Sequence, residues 1–140
     1  MYQELYIENE FGAIDGYTVS VNEENYKNYL ISETNDKEKS KIIIEAIEKN
    51  GNEVLVIKNL NIEEEFRGQG FGKMLMEDAM SESCADIIVL VADAYESQLP
   101  GFVLENFYKK FDFETIIETG AGPLMIYPKE LAEVIKNLLQ

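Results

Sequence analysis

The sequence predicts a mixed α/β (α+β) fold: a mostly antiparallel central sheet with flanking helices and a strand-rich N-terminal half. Three observations lead there. Apolar and polar residues alternate in short runs over the first half of the chain. Beyond Gly72 the spacing changes to helical stripes separated by short apolar runs. Between these regions, Arg67-Gly68-Gln69-Gly70-Phe71-Gly72 joins a strand pattern to a helix pattern. At 140 residues the chain is expected to form one domain, residues 1–140, around one core.

Tyr2–Glu8 and Tyr17–Val21 alternate apolar and polar and read as strands. Tyr26–Ser32 reads as a third strand, and the polar stretch Glu33–Ser40 as a loop. Lys41–Lys49 and Glu53–Ile62 flank Asn50-Gly51, a hairpin signal because a type I′ turn needs positive φ at both central residues. The β-branched run Ile42-Ile43-Ile44 favours a strand there. A helix over residues 36–49 is the alternative reading of that segment. Lys73–Ser83 carries Met74, Leu75, Met76, Ala79 and Met80 at helical spacing. The apolar run Ile87–Val91 suits a strand covered on both faces. Pro100 or Gly101 opens a second helix, with Val103, Leu104, Phe107 and Phe111 as its buried stripe. Phe113–Glu118 and Leu124–Tyr127 read as two closing strands. Pro128 starts a last helix that turns Leu131, Val134, Ile135, Leu138 and Leu139 inward.

Composition narrows the chemistry. Histidine is absent, which removes every mechanism built on a histidine base. One cysteine, Cys84, can make no intrachain disulfide or structural zinc site and fits a cytoplasmic location. No calcium-loop motif is present, so no metal is expected. No run approaches the roughly 18 apolar residues of a membrane span. Residues 1–4 do not begin a secretory signal. The net charge of −15 should repel nucleic acid and anionic membranes and attract amines, polyamines or lysine-rich surfaces. Solubility alone is the competing account of that charge.

The glycine-rich segment has the logic of an anion trap. The first amides of a helix have no internal acceptor, and the helix dipole places partial positive charge there. Glycines let a pyrophosphate approach the backbone. Arg67 and Lys73 add positive charge at a helix end where cations are otherwise disfavoured. A nucleotide phosphate is an alternative occupant, but the loop lacks the Gly-Lys-Ser/Thr ending of a P-loop.

The pattern Arg-x-x-Gly-x-Gly, filled by Arg67, Gly70 and Gly72, resembles motif A of the GCN5-related N-acetyltransferases (GNAT). Asn106-Phe107-Tyr108-Lys109-Lys110-Phe111-Asp112-Phe113-Glu114 resembles their motif B. The likeness covers about residues 53–127. It implies a GNAT fold and acetyl-CoA as co-substrate, with no metal. It further implies that Leu60, Asn61 and Ile62 pair with the pantetheine and acetyl portion. Arg67, Gly68, Gln69, Gly70, Phe71, Gly72 and Lys73 would then hold the pyrophosphate. Tyr108 would protonate the departing thiolate as general acid, and a backbone N–H near the split between the central strands would stabilise the oxyanion.

Asp112 stands where many relatives carry glycine, and Gly101 where many carry a CoA-contacting asparagine. No amphipathic helix pair is evident in the N-terminal half, a layout similar to small acetyltransferases of phages and mobile elements.

Bland readings stand beside these. Tyr108 lies one turn after Leu104 and could be a packed aromatic. Glu63-Glu64-Glu65 reads as a solvated turn. Glu45, Glu53 and Asp93 are unranked candidates for the base. The expected function is acetyl transfer to a primary amine of a cationic small molecule or protein, with no direct nucleic-acid or membrane partner. A homodimer through the C-terminal helix is an assembly the resemblance allows. The alternative is an acidic binding module that has lost catalysis and occupies a basic partner.

Overall fold

The alternating runs at the N-terminus pair as a hairpin. The computed structural model describes residues 2–93 and 101–140, without the side chains of residues 101 and 102. β1 (Gln3–Asn9) and β2 (Gly12–Ser20) are antiparallel, in register from Gln3–Thr18 to Asn9–Gly12. The Asn9 side chain closes the turn by accepting from the amides of Phe11 (2.8 Å) and Gly12 (3.1 Å).

Residues 24–50 correct the expectation of a strand-rich half. They form α1 (Glu24–Thr34) and α2 (Lys37–Asn50), so neither Tyr26–Ser32 nor Lys41–Lys49 is a strand and no loop spans 33–40. Burial at helical spacing overrides the β preference of Ile42–Ile44. Tyr26 and Leu30 are buried on α1, and Ser40, Ile43, Ala46 and Ile47 on α2. Asp36 caps α2 by accepting from the Lys39 amide at 3.1 Å. Asn35 ends α1 with φ 51°, a left-handed turn that asparagine tolerates. Asn50-Gly51 makes no hairpin. Gly51 is extended (φ −159°), and a Cβ there would meet Ile87 Cδ1 at 2.4 Å, so close packing accounts for the glycine. The N-terminal half therefore carries the helix pair that the sequence did not reveal.

The second half follows its predicted order. β3 (Glu53–Ile62) leads through a 3₁₀ turn (Glu64–Phe66) into α3 (Phe71–Ser83). Then come β4 (Ile87–Val91), α4 (Gly101–Lys109), β5 (Glu114–Thr119), β6 (Gly122–Tyr127) and α5 (Lys129–Leu139). Pro100, read as a helix start, lies outside the described residues. Asp112 takes the left-handed conformation (φ 71°) that follows α4. The sheet order is β1-β2-β3-β4-β6-β5, antiparallel throughout except for β3 against β4. No described helix is long and apolar enough to cross a membrane.

Each sheet face holds its own core. α1, α2 and α5 pack on Val19, Val54, Val56, Val89 and Ile126. α3 and α4 pack on the opposite face, on Ile14, Leu55, Ile57, Ile88, Leu90 and Met125. On α5, Leu131, Ala132 and Ile135 are buried, but Val134 and Leu138 are 50% and 55% exposed, contrary to expectation. The helix rests on α2, β5 and β6 along a narrow stripe, and those two residues lie on its flank.

A bulge splits β3. Gly16 pairs with Ile57 and Asp15 with Asn59, which leaves Lys58 as an extra residue. Before it, Leu55 and Ile57 face α3 and α4; after it, Leu60 and Ile62 do. The one-residue insertion keeps apolar side chains on that face and turns Asn59 and Asn61 to the other.

Candidate active site

β3 and β4 pair only from Val54–Ile87 to Ile57–Leu90. β3 runs on to Ile62, while β4 ends at Val91, so the parallel pair opens at this end. Two cavities meet there.

The larger is a cleft of about 680 Å³ on the α3–α4 face. Its floor is Leu60, Asn61 and Ile62. One wall is the glycine loop and first turn of α3, formed by Arg67, Gly68, Gly70, Phe71, Gly72 and Lys73. The other wall is α4 with its following turn. Of the residues singled out from sequence, Gln69 alone is not part of the lining. It is exposed, and its amide donates to the Glu65 carbonyl at 3.3 Å.

The loop's local chemistry explains its shape. Gly68 and Gly70 have φ of 78° and 87°, and a Cβ at either would meet nothing within 4 Å. Glycine therefore serves the left-handed turn, with open space on its outer side. Gly70 is the N-cap of α3, no side chain caps it, and the helix begins with the Met74 amide donating to the Gly70 carbonyl. The amides before Met74 are those that a helix leaves without an internal acceptor. Gly72 has another reason: a Cβ there would come within 3.3 Å of Phe107 on α4. Arg67 ties the loop to the strand, its Nε donating to the Ile62 carbonyl at 3.0 Å. Phe71 stacks on Phe11 from the β1–β2 turn (centroids 3.7 Å apart), and Phe66 meets both edge-on.

The smaller cavity, about 270 Å³, is lined by residues of β3 and β4 where the two strands part. Leu60, Asn61, Leu104 and Tyr108 border both spaces. Asn59, Lys58 and Asp93 border only the smaller one. Tyr108 is 6% exposed, lies against Phe107 and Phe113, and has no hydroxyl partner among the described residues. Burial raises its pKa above the ordinary phenol value, so it holds its proton. Of the three candidate bases, Asp93 borders the cavity. Glu45 is exposed on α2, and Glu53 stands at the far end of β3. Glu63, Glu64 and Glu65 are exposed, as a solvated turn should be. Among the described residues, no group of three or more His, Cys, Asp or Glu could hold a metal.

Several lining residues escaped the sequence reading. Val103, Phe107 and Phe111 were assigned to a buried stripe. Phe107 and Phe111 pack against the core as expected and also wall the cleft, whereas Val103 lines it and is 38% exposed. Phe66, Glu77 and Lys110 also line it. Lys110 carried a signal: it adjoins Lys109 at the end of a helix in an acidic chain, beside the proposed anion trap.

The acetyltransferase (GNAT) domain model matches residues 25–115, and the chain belongs to this family of acetyltransferases. No curated protein matches the sequence. Solved structures with the same fold include Arabidopsis thaliana NAA60 in complex with a bisubstrate analogue. It is 15% identical, with TM-score 0.53, and the match covers 86% of this chain and 66% of that one. The NatC complex bound to Gag peptide and CoA matches at 18% identity and TM-score 0.53, over 84% and 60% of the two chains. The PaiA N-acetyltransferase of Thermoplasma acidophilum, in complex with coenzyme A, matches at 15% and 0.50, over 89% and 59%. The chain thus spans less than two thirds of the length of each, and the likeness is one of fold.

Proposed function

We propose that residues 1–140 form a single acetyl-CoA-dependent N-acetyltransferase domain acting on a primary amine of a cationic acceptor. The observation that carries this reading is the continuity of two spaces. A cleft runs from the bare amides of the glycine loop to Tyr108, and there it shares its lining with a second cavity set where β3 and β4 part. Acetyl-CoA, when bound, supplies the acyl group as an activated thioester.

The residues present fit such a group. The amides of residues 68–73 offer donors for a pyrophosphate, with open space beside Gly68 and Gly70. Arg67, Lys73 and Lys110 set positive charge around the same cleft in a chain of net charge −15. Among the described residues, β3 has no strand partner on the β4 side at Leu60 and Asn61, and backbone groups there can meet an amide-bearing pantetheine arm. Phe107 and Phe111 give an apolar wall. The solved complexes of family members with CoA or a bisubstrate analogue support acetyl-CoA as the co-substrate.

Tyr108 keeps its proton through the neutral pH range and is the donor for the departing sulfur. Asp93, which borders the smaller cavity with Tyr108, is the candidate to accept the proton that the amine loses. An acid and a base on one cavity favour catalysis over the alternative of an inert acidic binding module. The cytoplasm remains the expected location.

The test combines calorimetry with kinetics. CoA and acetyl-CoA should bind with one site per chain. Tyr108→Phe should lower kcat about a hundredfold while leaving CoA affinity near wild type. Absence of heat with either nucleotide would remove the proposal. Unchanged kcat in Tyr108→Phe would return Tyr108 to a packing role.

A further inference from the structure

The glycine loop has little to hold it in shape from within. A Cβ on Gly68 or Gly70 would meet open space, and glycine loses the most backbone freedom when it is fixed. No side chain caps α3. The loop's own side-chain bonds run backward along the chain: Arg67 Nε donates to the Ile62 carbonyl at 3.0 Å, and the Gln69 amide to the Glu65 carbonyl at 3.3 Å.

Phe66 and Phe71 bracket residues 67–70, and one ring from the β1–β2 turn meets both. Phe11 stacks on Phe71, with centroids 3.7 Å apart and planes 8° from parallel. Phe66 meets Phe11 edge-on at 4.9 Å and Phe71 edge-on at 6.0 Å. With both flanking rings set against a third, the span between the two ends of the loop is fixed.

Phe11 is itself held on both sides. Its amide donates to Asn9 Oδ1 at 2.8 Å, and its carbonyl accepts from the Glu63 amide at 3.0 Å. A Cβ on the adjoining Gly12 would come within 2.2 Å of the Asn61 carbonyl oxygen, so the turn lies directly against the strand that floors the cleft. Phe66 and Phe71 line the cleft, whereas Phe11 borders neither cavity. Any influence of Phe11 on a bound ligand therefore passes through those two rings. Phe11 also lies outside residues 25–115, the span that the family model matches.

We propose that Phe11 is a positioning residue for the cofactor, holding the two ends of the glycine loop at the spacing that presents the amides of residues 68–73 to one diphosphate. A loop ordered in advance loses less freedom on binding, so the stack adds affinity without touching the ligand. It acts on the loop and not on Tyr108, so it governs diphosphate binding rather than acyl transfer. This inference rests on the acetyl-transfer reading and names a residue that shapes its cofactor site.

The experiment uses the full chain without ligand and with CoA. Phe11→Leu keeps an apolar side chain but removes the flat face, Phe11→Tyr keeps the ring, and Ile43→Val on α2 is a packing control on the other sheet face. Calorimetry measures Kd for CoA and for pantetheine, which lacks the diphosphate. Hydrogen exchange follows the Phe66 and Met74 amides, which bond to the Glu63 and Gly70 carbonyls at the two ends of the loop. In Phe11→Leu the CoA Kd should rise about tenfold while the pantetheine Kd holds, and both amides should exchange faster in the free protein. Phe11→Tyr and Ile43→Val should keep the wild-type values. An unchanged CoA Kd in Phe11→Leu would overturn the proposal and leave Phe11 a packing residue. Equal losses in Phe11→Leu and Ile43→Val would overturn it in favour of general loosening, and an equal loss in Phe11→Tyr would overturn the role of the stacked ring. If wild type bound no CoA, the acetyl-transfer reading would fall. Faster exchange in Phe11→Leu would then uphold the pin on the loop, and unchanged exchange would overturn that as well.

Discussion

Residues 54–57 and 58–62 belong to one strand and behave as two elements. Val54, Leu55, Val56 and Ile57 are 0–3% exposed, with β2 on one side and β4 on the other. Residues 58–62 keep β2 but have no strand partner on the β4 side among the described residues, and Asn59 and Asn61 are exposed. The first half is scaffold. The second half supplies the floor of the cleft and the rim of the smaller cavity. Lys58 separates them. A single inserted residue lets one strand finish the core and then present a site, because it restores the apolar phase toward α3 while the paired strand diverges.

Deleting Lys58 tests that separation most severely. Without the bulge, Asn59–Ile62 shift by one position, so Leu60 and Ile62 leave the α3–α4 face and asparagines replace them. We expect CoA binding to vanish in calorimetry and stability in urea to fall by about 3 kcal/mol or more. Wild-type CoA affinity in this variant would show that the two halves are not divided at Lys58.

Two truncations sharpen the contrast. Leu55→Ala empties a fully buried position and should cost about 2–5 kcal/mol in urea denaturation. Asn61→Ala, at an exposed position of the same strand, should alter stability by no more than about 0.5 kcal/mol. Its effect should instead appear in acetyl-CoA affinity. A large stability loss in Asn61→Ala would mean that the outer half is scaffold too.

The same division governs what the sequence made legible. The glycine loop, α3, β4, α4 and the closing strands could be read because local signals agreed with tertiary placement. Gly70 lies where strand pattern gives way to helix pattern, and Ile87–Val91 is apolar throughout because both its faces are covered. Residues 24–50 failed because two local signals, the Ile42–Ile44 run and Asn50-Gly51, pointed toward strands. Burial of Ile43, Ala46 and Ile47 at helical spacing decided otherwise. The bulge had a trace that went unread: two consecutive polar residues, Lys58-Asn59, between apolar Ile57 and Leu60 break the period of two. Asp93 could be named but not ranked, since its position against Tyr108 exists only once β3 and β4 part. Phe11 reaches the loop that flanks the cleft from an element distant in the chain, so no local pattern announced it.

The smallest expected effect uses pH to compare a tyrosine packed over the buried half with one over the open half. Tyr17 pairs with Val56, and burial pushes its pKa from 10.0 to about 12. Tyr6 pairs with Asp15 over the open half, and its pKa is raised chiefly by the hydrogen bond to Glu8. A phenol whose folded pKa exceeds its unfolded value contributes stability that is fully present below pH 10. That contribution is lost as pH rises through about 12, because the unfolded chain ionises first. Thermal melts between pH 10 and 12 should therefore fall less steeply in Tyr17→Phe than in wild type, by about 3 °C across the range. Tyr6→Phe should flatten the curve less, since water already solvates its hydroxyl and its carboxylate partner. Equal flattening by the two substitutions would mean that the sheet face over Asp15 is as dry as the face over Val56.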